Sequence, residues 1–246
     1  MKRGVRRTLS VGVAISLGAV GLGLAGCERA GEQPASLMLT FMEQEHGSEP
    51  YLTRTLVTRE FMRMDGGEDA DDFVLFDRGT QTIYSVNNMN GNILVIEPRA
   101  VEEAPGMALE LDEERVELGD ALPEAVAGHD AQRHRFIANG EVCNEVVSVP
   151  GLYDEAVAAV GEFLTVLAGQ HGASLAMVPP DMRRPCDLAT HIYAPARHLE
   201  HGLPVWERSE DGAVGRYLTA HEPAWPVDEA LFRLPESYER YSLGGF

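Results

Sequence analysis

Lysine is nearly absent from this sequence: Lys2 is the only one in 246 residues. Lysine and arginine together number 20 against 39 aspartates and glutamates, a formal charge of −19. A nucleic-acid surface needs clustered Lys and Arg, so no nucleic-acid partner is expected. Tryptophan occurs only at Trp206 and Trp225, too sparse for a sugar-stacking platform. Only one long uncharged apolar stretch exists, at the start, which excludes a polytopic membrane protein. Catalytic signatures are missing as well: there is no Gly-x-Ser-x-Gly, no P-loop and no His-Glu-x-x-His. His198 and His201 are three apart, but Gly202 and Pro204 break the helix that would align them on a metal. Asp65, Glu68, Asp69, Asp71 and Asp72 form an acidic turn, but Phe73 falls where a calcium loop needs a ligand, so the turn reads as solvated. The expectation is a non-enzymatic protein without metal or cofactor.

What is present is concentrated first at the amino terminus. Lys2, Arg3, Arg6 and Arg7 make a basic start, and residues 8–26 carry no charge. Leu24-Ala25-Gly26-Cys27 follows and resembles the lipobox of a bacterial lipoprotein export signal. The resemblance implies removal of residues 1–26, acylation of Cys27, and a membrane partner through that lipid. The alternative is an uncleaved anchor, near the lower length limit for spanning. Glu28, where Asp would favour inner-membrane retention in that class, implies the outer membrane of the bacterial cell envelope, facing the periplasm. Residues 27–35, with Gly31 and Pro34, read as a lipidated tether. Loss of the four basic residues before Cys27 leaves 16 arginines against 39 acids, a charge of −23. An acidic, lysine-free surface suits high salt, where self-repulsion is screened.

In an oxidising compartment the two remaining cysteines, Cys143 and Cys186, read as a disulfide. Apolar alternation predicts strands over residues 36–43, 52–64, 73–76, 82–86 and 93–96, with Asn90-Gly91 as a hairpin turn. Residues 97–128 hold ten acids against two arginines and read as an edge hairpin or a solvated loop. A second hairpin over 133–138 and 142–149 turns at Asn139-Gly140. Residues 152–170 show a helical stripe that Gly169 and Gly172 would end, with Pro179-Pro180 beyond. Strands are expected at 189–194, 203–208 and 214–220. The fold class is α+β, mainly β: a curved antiparallel sheet packed on one main helix, as a single domain over 36–246.

Four motif groups then carry a family resemblance. They are Arg59-Glu60-Phe61-Met62-Arg63-Met64 leading to Leu75-Phe76-Asp77-Arg78; Gln81-Thr82-Ile83-Tyr84-Ser85-Val86 with Asn90-Gly91 and Ile93-Leu94-Val95-Ile96; Ala127-Gly128-His129 before the Asn139-Gly140 pair and Cys143; and Leu231-Phe232-Arg233-Leu234-Pro235. In this order the sequence resembles the LolA/LolB/RseB-like superfamily of periplasmic proteins, nearest its uncharacterised lipoproteins. That resemblance implies a half-barrel whose apolar concave face accepts a lipid, an acyl chain or a lipidated protein. Met62, Phe73, Leu75, Tyr84, Leu94 and Ile96 are the candidate ligand-binding residues. The other reading is an envelope partner-binding, sensor or structural lipoprotein with a filled core, and a hydrolase with an unrecognised site is the third. The chain departs from the family in being lipidated, unlike its soluble shuttles, and in lacking an exposed apolar loop.

Overall fold

Hairpin turns set the order of this chain in space. Asn139 and Gly140 adopt φ of 50° and 78°, the paired left-handed geometry that matches strand twist. They join β8 (Gln132–Ala138) to β9 (Glu141–Val149). Earlier turns join β1 (Ser36–Gln44), β2 (Tyr51–Thr58), β3 (Phe61–Asp65), β4 (Phe73–Asp77), β5 (Thr82–Asn87) and β6 (Asn92–Ile96) as an antiparallel meander. An exposed edge strand, β7 (Leu111–Val116), precedes β8. After the helix α1 (Asp154–Leu175) come a four-residue α2 (Pro185–Leu188), β10 (Leu203–Ser209), β11 (Gly215–Pro223) and β12 (Glu239–Ser242). The computed structural model describes residues 36–67 and 72–242. The export signal, Cys27, the tether, and Glu68, Asp69 and Asp71 of the acidic turn lie outside the described residues.

The strands form one open twelve-stranded sheet in the order β12-β6-β5-β4-β3-β2-β1-β11-β10-β9-β8-β7. All neighbours are antiparallel except β12 with β6. The mainly-β, helix-on-sheet class expected from the sequence is what the chain adopts.

Both faces of the meander are covered, and by different parts of the chain. Leu37, Leu39, Phe41, Val57, Met62, Phe76, Ile83 and Ile96 are buried against α1. Ala156 and Ala159, both at 0% exposure, let the helix backbone approach the sheet closely, and Phe163 meets Phe76 edge-on at 5.9 Å. On the opposite face Leu56, Phe73, Leu75, Val86 and Ile93 pack with Phe232 and with Trp225, Leu231, Leu234 and Tyr238 of the C-terminal segment. Burial of each large apolar side chain contributes about 1.5–3 kcal/mol, so these two layers dominate stability.

Charge fixes both covers in place. Arg78, in the β4–β5 turn, donates to both Glu162 carboxylate oxygens at 2.7 and 2.8 Å, to Glu155, and to the Thr58 carbonyl at 3.2 Å. On the other face the fully buried Asp65 accepts from Arg54 at 2.5 Å and from Arg63 at 2.7 Å. Arg63 passes the restraint on, donating to the Leu231 carbonyl at 2.6 Å and lying 3.7 Å over the Phe73 ring.

Several expected elements differ. The β-rich run at 52–64 is two strands, because Thr58 accepts from the backbone of Glu60 and Phe61 and turns the chain there. Of the acidic segment 97–128, residues Leu111–Val116 form an edge strand, guarded by Asp112, Glu113 and Glu114. Helix α1 runs through Gly169 and Gly172 rather than ending at them. A Cβ at Gly169 would lie 2.2 Å from the Arg99 carbonyl, so this glycine admits the crossing 99–101 segment. Residues Ala189–Tyr193 form a π-helical turn rather than a strand. Residues Glu239–Ser242, for which no strand is expected, form β12.

Candidate binding clefts

Beyond Leu175 the main helix stops, and its free carbonyls must find donors. Arg183 supplies them: it donates to Leu175 at 3.0 Å and Val178 at 3.1 Å, and also to Ala104 and Pro105 at 3.3 Å. Pro179 and Pro180 prevent continuation, and Pro185 sits at the first position of α2, where its missing N–H costs nothing. The Cys143–Cys186 disulfide, with Cα atoms 5.2 Å apart, ties the start of α2 to β9. From the other side His171 on α1 contacts the His191 carbonyl at 3.3 Å. The α2–π segment is thus held from below and from the side, and a cleft opens on each flank. A π turn is unusual in itself and recurs at functional sites.

The first cleft has a volume of about 580 Å³. Leu175, Val178, Met182, Leu188 and Ile192 make it mainly apolar, with His171 and Arg184 among its polar residues. Beside it Met177 and Met182 are 79% and 67% exposed, an unusual display of soft, adaptable apolar surface. The second cleft, about 430 Å³, is polar: Glu43, Asn144, Thr190, Glu207 and Arg216 line it together with the disulfide. Arg216 donates twice to one Glu207 oxygen, at 3.1 and 2.7 Å, and its guanidinium lies 4.8 Å over Phe41. Burial pushes the Glu207 carboxyl up, but Arg216 and the nearby His198 outweigh it and hold it below the usual range. Burial, followed by the neighbouring His171, pushes His191 down against the pull of Asp187.

A separate histidine group lies over Phe136. The His134 and His201 rings stack with centroids 3.7 Å apart, and His201 Nε2 meets a Glu113 oxygen at 3.1 Å. His198 approaches Phe136 edge-on at 6.4 Å, while Arg197 lies 5.0 Å over it and donates to the Ile137 carbonyl. His198 and His201 thus pack on Phe136, and His201 also hydrogen-bonds to Glu113 on the edge strand. At the start of α1, Tyr153 and His221 meet at 2.6 Å, and the other ring nitrogen of His221 faces the Ala125 carbonyl at 3.0 Å. A carbonyl only accepts, so Nε2 carries a proton, and in the neutral ring Nδ1 accepts from the tyrosine hydroxyl.

The six candidate ligand-binding residues are divided by the sheet. Met62, Leu94 and Ile96 pack in the core under α1, whereas Phe73, Leu75 and Tyr84 pack beneath the C-terminal segment. None of the six lines either cleft. The cleft residues escape a sequence reading because the apolar content of 189–194 is that of a strand. The usable signals are Pro185 at a helix start and Asp187 with His191 four residues on, a helical spacing.

No family model and no curated protein matches the sequence. Among solved structures, an uncharacterised conserved protein from Thermus thermophilus is similar with a TM-score of 0.41 at 10% identity, over 85% of this chain and 91% of that one.

Proposed function

We propose that this protein is a non-enzymatic, lipid-anchored protein of the bacterial cell envelope that binds an apolar ligand in the cleft at the C-terminal end of α1. The ligand is a lipid, an acyl chain or a lipidated protein. The observation that carries this reading is the 580 Å³ cleft walled by Leu175, Val178, Met182, Leu188 and Ile192. Its volume is in the range of small-molecule sites, and each methylene buried there contributes about 0.8 kcal/mol. Anchoring through Cys27, and the outer membrane implied by Glu28, keep the cleft near a lipid source. The LolA-like reading of the motifs agrees with an apolar cargo, but this cleft lies outside the helix-covered sheet face.

Native mass spectrometry of residues 28–246 purified from a bacterial periplasm tests the proposal. Omission of Cys27 removes the covalent lipid, so a bound lipid is a ligand. A discrete added mass that extracts into organic solvent, and that Met182→Asp reduces, is the expected result. A clean apo mass would overturn it. One observation favours a second reading, a partner-binding envelope protein: α1 is packed tightly on the sheet through Ala156 and Ala159. That reading requires crosslinking to a protein partner in the envelope without co-purified lipid.

A further inference from the structure

Asp187 and His191 line both clefts, so the apolar cleft and the polar cleft meet at the α2–π segment. A ligand whose chain lies in the first has its head at the second. The free polar groups at that junction include acceptors as well as the exposed Arg208 guanidinium, which also lines the polar cleft. Asn144 Oδ1 is buried without a hydrogen-bond partner. The exposed Asp187 carboxylate makes no hydrogen bond or ion pair among the described residues. Glu43 and Glu45 at the rim each take one hydroxyl, from Thr53 and Tyr51 at 2.6 Å, through a single oxygen. The Arg216 guanidinium also lines this cleft and commits only Nε and Nη2 to Glu207, leaving its remaining nitrogen for an anion. No lysine ammonium of residues 28–246 competes for these acceptors, because the only lysine is Lys2.

Resting on the apolar-cleft reading above, we infer that the junction selects amphiphiles with a primary ammonium head of the phosphoethanolamine type. The ammonium donates to Asp187, and the phosphate turns toward Arg216 and Arg208. A glycerol head would keep the phosphate contact but bring no ammonium to Asp187, and its negative charge beside that carboxylate is repulsive at close range.

Titration calorimetry of residues 28–246 at neutral pH tests this with lysophosphatidylethanolamine and lysophosphatidylglycerol of the same chain length, below micelle formation. One charge-assisted hydrogen bond corresponds to about tenfold in affinity, so the ethanolamine lipid is expected to bind about tenfold more tightly. Asp187→Asn, at an exposed position that does not endanger folding, should remove that preference. Met182→Asp should weaken both lipids alike. Equal binding, or tighter binding of the glycerol lipid, overturns the head-group assignment and leaves the apolar cleft standing. Failure of both lipids to bind overturns the apolar-cleft reading itself. Tighter binding of an apolar peptide with a free amino terminus, lost in Asp187→Asn, would replace the lipid with a protein ligand.

Discussion

Replacement of Asp65 by Asn isolates the charge that holds the C-terminal cover. The Asp65 side chain has no exposure, and its partners Arg63 and Arg54 are 8% and 14% exposed. Its carboxylate also accepts from the Gly67 backbone at 3.1 Å. Asn keeps the shape but leaves two poorly solvated guanidinium groups without a counter-ion. Breaking a buried pair in this way costs about 3–5 kcal/mol. Burial pushes the Asp65 carboxyl up, yet hydrogen bonds from Arg54, Arg63 and Gly67 outweigh it, so its folded value lies below the ordinary 3.8. The stabilisation is therefore complete above pH 3.8 and is lost as the pH falls through the folded value. Urea unfolding of residues 28–246 followed by circular dichroism should show the full deficit of Asp65→Asn at pH 7. The gap to the parent should close at strongly acid pH, where both side chains are neutral. Because Arg63 holds the Leu231 carbonyl, amide exchange should rise first in residues 225–238. A deficit below about 1 kcal/mol at pH 7, or one that does not change with pH, would refute the reasoning.

Two further outcomes follow from single side chains. Burial first, then His201 and Arg115 against the pull of Glu113, hold His134 below the ordinary 6.5. Its neutral form is favoured by folding, so stability falls as the pH drops below 6.5, and His134→Phe should reduce that slope in unfolding curves between neutral and mildly acid pH. Gly161→Ala and Gly169→Ala should move the melting temperature in opposite directions, although helix propensity favours alanine at both by about 1 kcal/mol. A Cβ at Gly161 meets only the end of Leu199 at 3.4 Å, whereas at Gly169 it meets a backbone carbonyl at 2.2 Å, so the second variant should lose about 1–3 kcal/mol.

Much of the sheet is legible in the sequence because its signals are local. Asn139-Gly140 and Asn90-Gly91 lie at the turns that their chemistry demands, and the disulfide joins the two cysteines expected to pair. Strand breaks and helix ends are less legible where tertiary contacts decide them. Nothing in residues 52–64 announces the turn at Arg59-Glu60, since the apolar pattern continues across it and Thr58 supplies the bonds. Gly169 and Gly172 carry the composition of a helix end, but the 99–101 segment packs on them from a distance of about seventy residues in sequence, which no local pattern encodes.

The division of the candidate ligand residues between two packed layers has a related cause. Phe73, Leu75, Leu94 and Ile96 belong to strands apolar at both parities, and such strands are covered on both sides. In this chain the covers are α1 and the 225–238 segment, and each packs closely enough that its wall is core. Open space arises at the edges of these covers: one cleft of about 560 Å³ lies between the β2–β3 turn and the 227–233 segment, and the two described above lie where α1 runs out. Helix α1 ends at Leu175, and beyond it the short segments α2, the π turn and Arg197–His201 bridge the gap to β8, β9 and β10. Short segments tied down by a disulfide and a few hydrogen bonds cannot fill the volume that a continuous helix fills. Asp187, His191, Asn144 and Met182, which line that space, are ordinary surface types in sequence. Two of them, Asp187 and Asn144, keep a side-chain oxygen without a partner among the described residues once the longer elements have packed.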